Sequence, residues 1–296
     1  MPKEIQVLGV PMDLGQSRRG VDMGPSALRY AGLQTQLTQL GYIVTDQGNL
    51  TVPGPEQSVA ALGASRLDAV AQVCQSIFNW GSAADKIDAN TLYLGGDHSI
   101  SVGSVKAAAT RFPDLGVIWV DAHADFNTPD SSPSGNIHGM PVAALVGDGP
   151  NSLRDIGEGI RIPPKNIVQI GIRDVDADER IRLRHSNIHV HTMRNIDEYG
   201  IANIARKALT QLDHCPHLHI SLDLDSLDPV EAPGVGTPVQ GGLTYREAHL
   251  LMEILAESKR VRSLDVVEVN PILDTHNRTA ELAVELVASL FGKQIL

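Results

Sequence analysis

The chain has 296 residues, with 24 Lys and Arg against 35 Asp and Glu, a net charge of −11 with His neutral, 42% hydrophobic and 20% charged residues. This is enough apolar material for one large α/β domain or two smaller ones. The acidic balance, with no basic run longer than Arg18-Arg19, excludes nucleic acid and anionic membrane as expected partners. No apolar run approaches the roughly 18 residues of a membrane span, and the N-terminal apolar run is too short for a signal sequence. The two cysteines, Cys74 and Cys215, lack CxxC spacing, so they read as packing residues in a reducing compartment. The expected location is cytoplasmic.

In chain order, an apolar run at 5–10 predicts a strand, closed by Pro11 and a loop through Arg18, Arg19 and Gly20. Pro25 at a first helical position, then Leu28, Leu33, Leu37 and Leu40, predict a helix that stops at Gly41. A strand at 42–45 leads to a Pro/Gly loop at 53–55, after which Val59, Leu62, Val70, Val73, Ile77 and Trp80 recur at helical spacing. Further strands are expected at 91–94, 117–120, 167–171, 188–191, 217–224 and 264–269, and helices at 196–212, 245–257 and 279–291. Eight strands interleaved with helices imply right-handed crossovers and a mostly parallel sheet, with no linker or repeat to divide a single domain over 1–296. An open doubly wound sheet and a closed barrel both fit this count, and both place a site beyond the strand C-termini.

Polar residues gather at those ends. The run Val117-Ile118-Trp119-Val120 is followed by DAHADFNTPDSSPSGNIH, in which Asp121, His123 and Asp125 stand at i, i+2 and i+4 and would share one side of an extended backbone. Taken alone, the triplet could equally be a helix cap beside a solvated histidine. Three other strand ends carry similar chemistry: His98 in LGGDHS, Asp223 and Asp225 in SLDLDSLDP, and Glu268 in EVNP. Together they make one convergent site more economical than four separate caps. The candidate ligands are His98, Asp121, His123, Asp125, Asp223 and Asp225. Two imidazoles and four carboxylates without thiolate suit divalent cations, with manganese favoured over zinc. Two such ions about 3.5–4 Å apart can bridge a water, lower its pKa and present hydroxide to an electrophilic carbon. Two divalent ions would bring the charge to −11 + 4 = −7.

The motifs GGDHS, DAHAD, SGNIHG, SLDLDSLDP and EVNP, in this order, resemble the ureohydrolases, the arginase and agmatinase superfamily, over residues 10–291. The segments SPSGNIHGMP, GVPMDLGQSRRGVDMGPSALR and GVGTPVQGGLTYRE resemble its arginase branch, in the shorter bacterial form. For fold, the resemblance implies an α/β, three-layer α/β/α sandwich around an eight-stranded mostly parallel sheet. For chemistry, it implies two Mn2+ per subunit and hydrolysis of L-arginine to L-ornithine and urea by a metal-bridging hydroxide attacking the guanidinium carbon. The alternative is a sister ureohydrolase acting on agmatine, guanidinobutyrate or guanidine; a non-catalytic metal-binding regulator would be expected to lack a motif residue, and none is missing.

Carried over by position, His98, Asp121, Asp125 and Asp223 would hold one manganese, and His123, Asp121, Asp223 and Asp225 the other. The resemblance makes Asp125 catalytic as well as a ligand, assigns proton transfer to His138 and reception of the guanidinium to Glu268, and places Thr237 in the lining of the metal pocket. Asn127, Ser132 and Ser134 would bind the substrate α-carboxylate, and Asp176 and Glu179 its α-ammonium. Arg246 and Glu247 fall in a segment that makes subunit contacts in relatives, and a homotrimer or homohexamer is implied. Ser226 stands where arginases commonly have Gly, and residues 50–66 are the least family-like.

Overall fold

The computed structural model describes residues 3–54, 66–83 and 89–294. Its eight strands are β1 (Lys3–Val10), β2 (Tyr42–Asn49), β3 (Asn90–Gly95), β4 (Gly116–Val120), β5 (Ile167–Ile172), β6 (His189–Thr192), β7 (Leu218–Asp223) and β8 (Val261–Val267). They form one sheet in the order β2-β1-β3-β8-β7-β4-β5-β6, with every neighbouring pair parallel and β2 and β6 at the edges. The arrangement is the open α/β/α sandwich and not the barrel.

Both faces of the sheet are covered, which is why β4, β5 and β7 are buried along their whole length. On one face, Ile118, Val120, Ile220, Leu264 and Val266 pack with the helices Ile201–Gln211, Tyr245–Glu257 and Arg278–Leu290. On the other, Val10, Tyr93, Val117 and Trp119 meet the helices Arg66–Gly81, Ser101–Arg111 and Pro141–Val146. Leu28, Leu33 and Leu37 are all buried, as their spacing predicts.

Two expected helices are interrupted. Gly32, with φ +88°, divides Gly24–Tyr30 from Leu33–Gln39, and Gly200, with φ +76°, divides Met193–Tyr199 from Ile201–Gln211. Positive φ lets the chain turn there without a Cβ clash, so apolar periodicity runs on while the helix axis changes. Val59 and Leu62, and most of the segment 50–66, lie outside the described residues. No helix among the described residues is long and apolar enough to cross a membrane.

The strand order brings β3, β8, β7 and β4 side by side at the centre. Their C-terminal ends carry His98, Glu268, Asp223 and Asp121, so sheet topology alone gathers segments that are far apart in the chain. The flanking β1 and β5 add the loops after Val10 and Ile172 to the same rim.

Candidate functional site

The acidic triplet does not lie on an extended strand. β4 ends at Val120, and residues 121–125 curl over the sheet edge, with the Ala122 carbonyl accepting from the backbone N–H groups of Arg173 and Asp174 and with Asp125 at φ +49°. Asp223 ends β7, and Leu224–Ser226 is a 3-10 turn in which the Asp223 carboxylate accepts from the Asp225 N–H at 2.7 Å. Turn geometry, not strand alternation, aims these carboxylates at one point.

There, His98 Nδ1 lies 3.1 Å from Asp121 Oδ2, 3.0 Å from Asp125 Oδ2 and 3.0 Å from Asp223 Oδ2. His123 Nδ1 lies 3.1 Å from Asp225 Oδ2 and 3.5 Å from Asp121 Oδ1. Two ligand groups result, His98 with Asp121 and Asp125, and His123 with Asp121 and Asp225, joined through Asp121. His98 Nδ1 and Asp125 Oδ2 are both buried without an aligned hydrogen-bond partner, although they face each other. A ring nitrogen carries at most one proton and cannot satisfy three carboxylates. Burial and the Asp121 charge push Asp125 up to about 6, and burial with the charges of Asp225 and Asp121 raises Asp223 well above the usual carboxylate range. His98 and His123 are raised too: burial opposes their protonation, but the surrounding carboxylates outweigh it. Two imidazoles cannot balance four converging carboxylates, and the orphaned His98 Nδ1 and Asp125 Oδ2 and the oxygen-rich, thiolate-free composition fit divalent cations.

Glu268 sits just past β8 in a left-handed conformation, φ +66°, with its N–H donating to Gly96 O. Its buried carboxylate accepts from the His98 N–H at 2.9 Å, His138 Nδ1 at 3.0 Å and Gln16 Nε2 at 2.8 Å. Burial works against protonation of His138, but the Glu268 charge, with Asp125 and Asp97 beyond it, lifts its pKa to about 9. Two site residues, Asp125 and Glu268, store strain in the left-handed region where the chemistry is, which is common at functional sites.

A cavity of about 260 Å³ opens above the cluster, lined by His98, His123, Asp125, Asp223, Asp225 and Thr237 on its floor and by Asn127, Ser132, Ser134, His138, Asp176 and Glu179 on its walls. Thr237 Oγ1 donates to Asp225 Oδ2 at 3.0 Å, and Asn127 Nδ2 to Asp176 Oδ2 at 2.9 Å. Asp176 is also the N-cap of the helix Ala177–Arg184. Glu179 is committed locally: it accepts from the N–H groups of Phe126 and Asp176, and burial pushes its pKa up to about 7. Asp121 and Glu268 lie behind the residues that line the cavity.

Several positioning groups carry no signal in the sequence. Trp119 stacks on the His98 ring, centroids 4.1 Å apart, and donates to Asp121 Oδ2 at 2.9 Å. Asp97 accepts from the N–H groups of Gly15 and Ser99, tying the loop after β1 to the start of His98's turn. Arg173 donates to the carbonyls of Asp225, Ser226, Leu227 and Val239, clamping the Asp225 turn by its backbone. Gln16, Asp97 and Arg173 all stand in strand-end loops, but only the fold reveals their partners. Glu247 forms a capping box with Thr244, while Arg246 pairs with Glu253 at 3.7 Å. Cys74 and Cys215 are both buried and free.

Known proteins share both sequence and fold with this chain. The arginase of Bacillus caldovelox is 47% identical over 299 residues, covering 99% of this chain and 100% of that protein, and the arginase of Bacillus subtilis strain 168 is 47% identical over 297 residues, covering 100% of both. The B. caldovelox arginase structure superposes with a TM-score of 0.94 at 46% identity, covering 99% of this chain and 100% of that one. An Entamoeba histolytica arginase solved with L-ornithine superposes with a TM-score of 0.90 at 30% identity, with the same coverage. The model of the arginase family matches residues 3–292, and with the sheet order and the paired His/Asp groups already described, the chain belongs to the arginase family.

Proposed function

We propose that this protein is a hydrolase that cleaves L-arginine to L-ornithine and urea at the cavity above β3, β8, β7 and β4. The observation that carries the reading is the pair of ligand groups sharing Asp121 beneath a cavity walled by Asp176, Glu179, Asn127, Ser132 and Ser134. His98, Asp121, Asp125 and Asp223 would hold one Mn2+, and His123, Asp121, Asp223 and Asp225 the second. When bound, the pair supplies Lewis acidity that brings the ionisation of water to near-neutral pH beside the substrate carbon.

The remaining steps belong to side chains. The Glu268 carboxylate would receive the planar guanidinium once one of its three present donors yields, and so orient the guanidinium carbon. As water adds to that carbon, the bond to the substrate δ-nitrogen breaks, and His138 delivers the proton that lets the amine leave. A guanidinium arriving at Glu268 offsets the charge that raises the pKa of His138, which makes the imidazolium a readier acid at the moment it is needed. Asn127, Ser132 and Ser134 donate to the α-carboxylate, while Asp176 and Glu179 receive the α-ammonium directly or through water. Thr237 steadies Asp225.

The reading extends to residues 1–296 as a single ureohydrolase domain, to a cytoplasmic location and to assembly as a homotrimer or homohexamer, with no nucleic-acid or membrane partner. The second reading, agmatine, guanidinobutyrate or guanidine as substrate, uses the same ligands and differs at the cavity wall. Agmatine lacks the α-carboxylate and would leave neutral donors unpaired; a site built for a missing polar group can reject the analogue by about 10⁴-fold, less at a solvated rim. Comparing kcat/KM for arginine and agmatine in Mn-loaded parent and in Asp176→Ala tests this. Arginine is expected to win in the parent and to lose part of its lead in the variant. Agmatine turning over as well as arginine would move the assignment to the sister enzymes.

A further inference from the structure

β7 is covered on both sides, yet the face it turns toward the helix Ser101–Arg111 carries His219, Ser221 and Asp223 in alternation. In register beside it, β8 places Ser263 opposite His219 and Asp265 opposite Ser221, and β3 places Thr91 opposite Ser263. All are buried to 1% exposure or less apart from Asp223 at the metal cluster. Burying an unpaired carboxylate at the centre of a sheet is costly. Asp265 avoids that cost through three donors: Ser221 Oγ at 2.5 Å, Ser104 Oγ at 2.6 Å and His219 Nε2 at 2.8 Å. The seam continues from His219 Nδ1 to Ser263 at 2.9 Å and from Ser263 to Thr91 at 3.1 Å.

Its other end is His98, whose Nε2 lies 2.8 Å from Ser221 Oγ. Proton accounting fixes the roles. An ionised carboxylate only accepts, so the Ser221 hydroxyl proton goes to Asp265 and the Ser221 oxygen is left as an acceptor. In the neutral ring, the form that can take a cation, the proton of His98 therefore sits on Nε2, and the Nδ1 lone pair faces Asp121, Asp125 and Asp223. Ser101 Oγ, 3.2 Å from Ser221, can fill the remaining lone pair of that oxygen.

We propose that Ser221 and Asp265 are positioning residues for the metal centre, holding His98 in the tautomer and orientation that present Nδ1 to a cation. The inference rests on reading the cluster as a metal centre. Without the Ser221 acceptor, the His98 proton moves to Nδ1, where three carboxylates hold it against an incoming ion. Outer-shell partners of this kind are worth about 10–100-fold in metal affinity.

The test is Mn2+ titration of metal-stripped, full-length protein by calorimetry, with elemental analysis of the loaded product. Ser221→Ala and Asp265→Asn are each expected to weaken one of two equivalents by about 10–100-fold and to leave the other at its parental affinity. Ser221→Thr, which keeps the hydroxyl, is expected to restore it. Thr91→Val, at the far end of the seam, is expected to lower thermal stability without changing either affinity. Two parental affinities in Ser221→Ala, or equal weakening in Thr91→Val, would overturn the proposal and leave the metal centre standing; a parent that binds no metal would overturn both. Should the variants not fold, 15N-histidine spectra of the Cd2+-loaded parent decide: the His98 proton is expected on Nε2, and a proton on Nδ1 would refute the tautomer assignment.

Discussion

His138 is the residue on which the chemistry and the charge balance meet. It is mostly buried, its Nδ1 lies 3.0 Å from Glu268, and its pKa is lifted to about 9 against burial. Because the folded value stands above the unfolded one, the pair stabilises the fold fully below pH ~6.5 and that contribution is lost as pH rises through about 9. In metal-free protein, urea unfolding should therefore find the parent more stable than His138→Asn by on the order of 1–3 kcal/mol at about pH 6, with the gap closing above about pH 9. A gap independent of pH would contradict the ion pair. In the loaded enzyme the same variant is expected to keep its metal while kcat falls roughly 10²–10⁴-fold, the usual worth of a general acid. Loss of metal would mean that the proton-transfer role is wrong.

At the scale of elements, the turns after the strands place the candidate ligands, and they tolerate little change. Gly96 has φ +36°, and a Cβ there would meet the carbonyl oxygens of Val10 and Met12 at 2.6 Å. Gly96→Ala is expected to cost about 2–4 kcal/mol from backbone strain and overpacking together, read as a lower urea midpoint at an unchanged slope. A variant as stable as the parent would show that this turn has more room than its contacts allow. The same turns explain what is legible in the sequence. Runs such as 117–120 identify strands and the Asp/His clusters identify their ends, because burial on two faces leaves a plain apolar signature. The interruptions at Gly32 and Gly200 do not disturb apolar periodicity and so are invisible to it. Trp119 over His98, and Arg173 on the carbonyls after Asp225, depend on pairings between strands far apart in sequence. The seam does leave a trace: His219, Ser221 and Asp223 alternate through a strand that should be apolar on both faces, a signature of a buried polar partner.

Over the whole molecule, the net charge of −11 is partly a property of one point, where four buried carboxylates converge around two imidazoles. The sheet order makes that concentration possible, since β3, β7 and β4, with only β8 and its Glu268 among them, deliver the candidate ligands from segments that meet only in the folded chain. Asp121 belongs to both ligand groups, so Asp121→Ala is expected to lose more than one metal equivalent, whereas a variant of a ligand in a single group should lose about one. Equal losses by elemental analysis would contradict the shared role of Asp121. The most direct test of a two-metal arginine hydrolase is the rate of urea release from L-arginine as Mn2+ is added stepwise to metal-free protein. The rate should rise until two equivalents per chain are bound and then level off; full activity at one equivalent or none, or no urea at two, would contradict it.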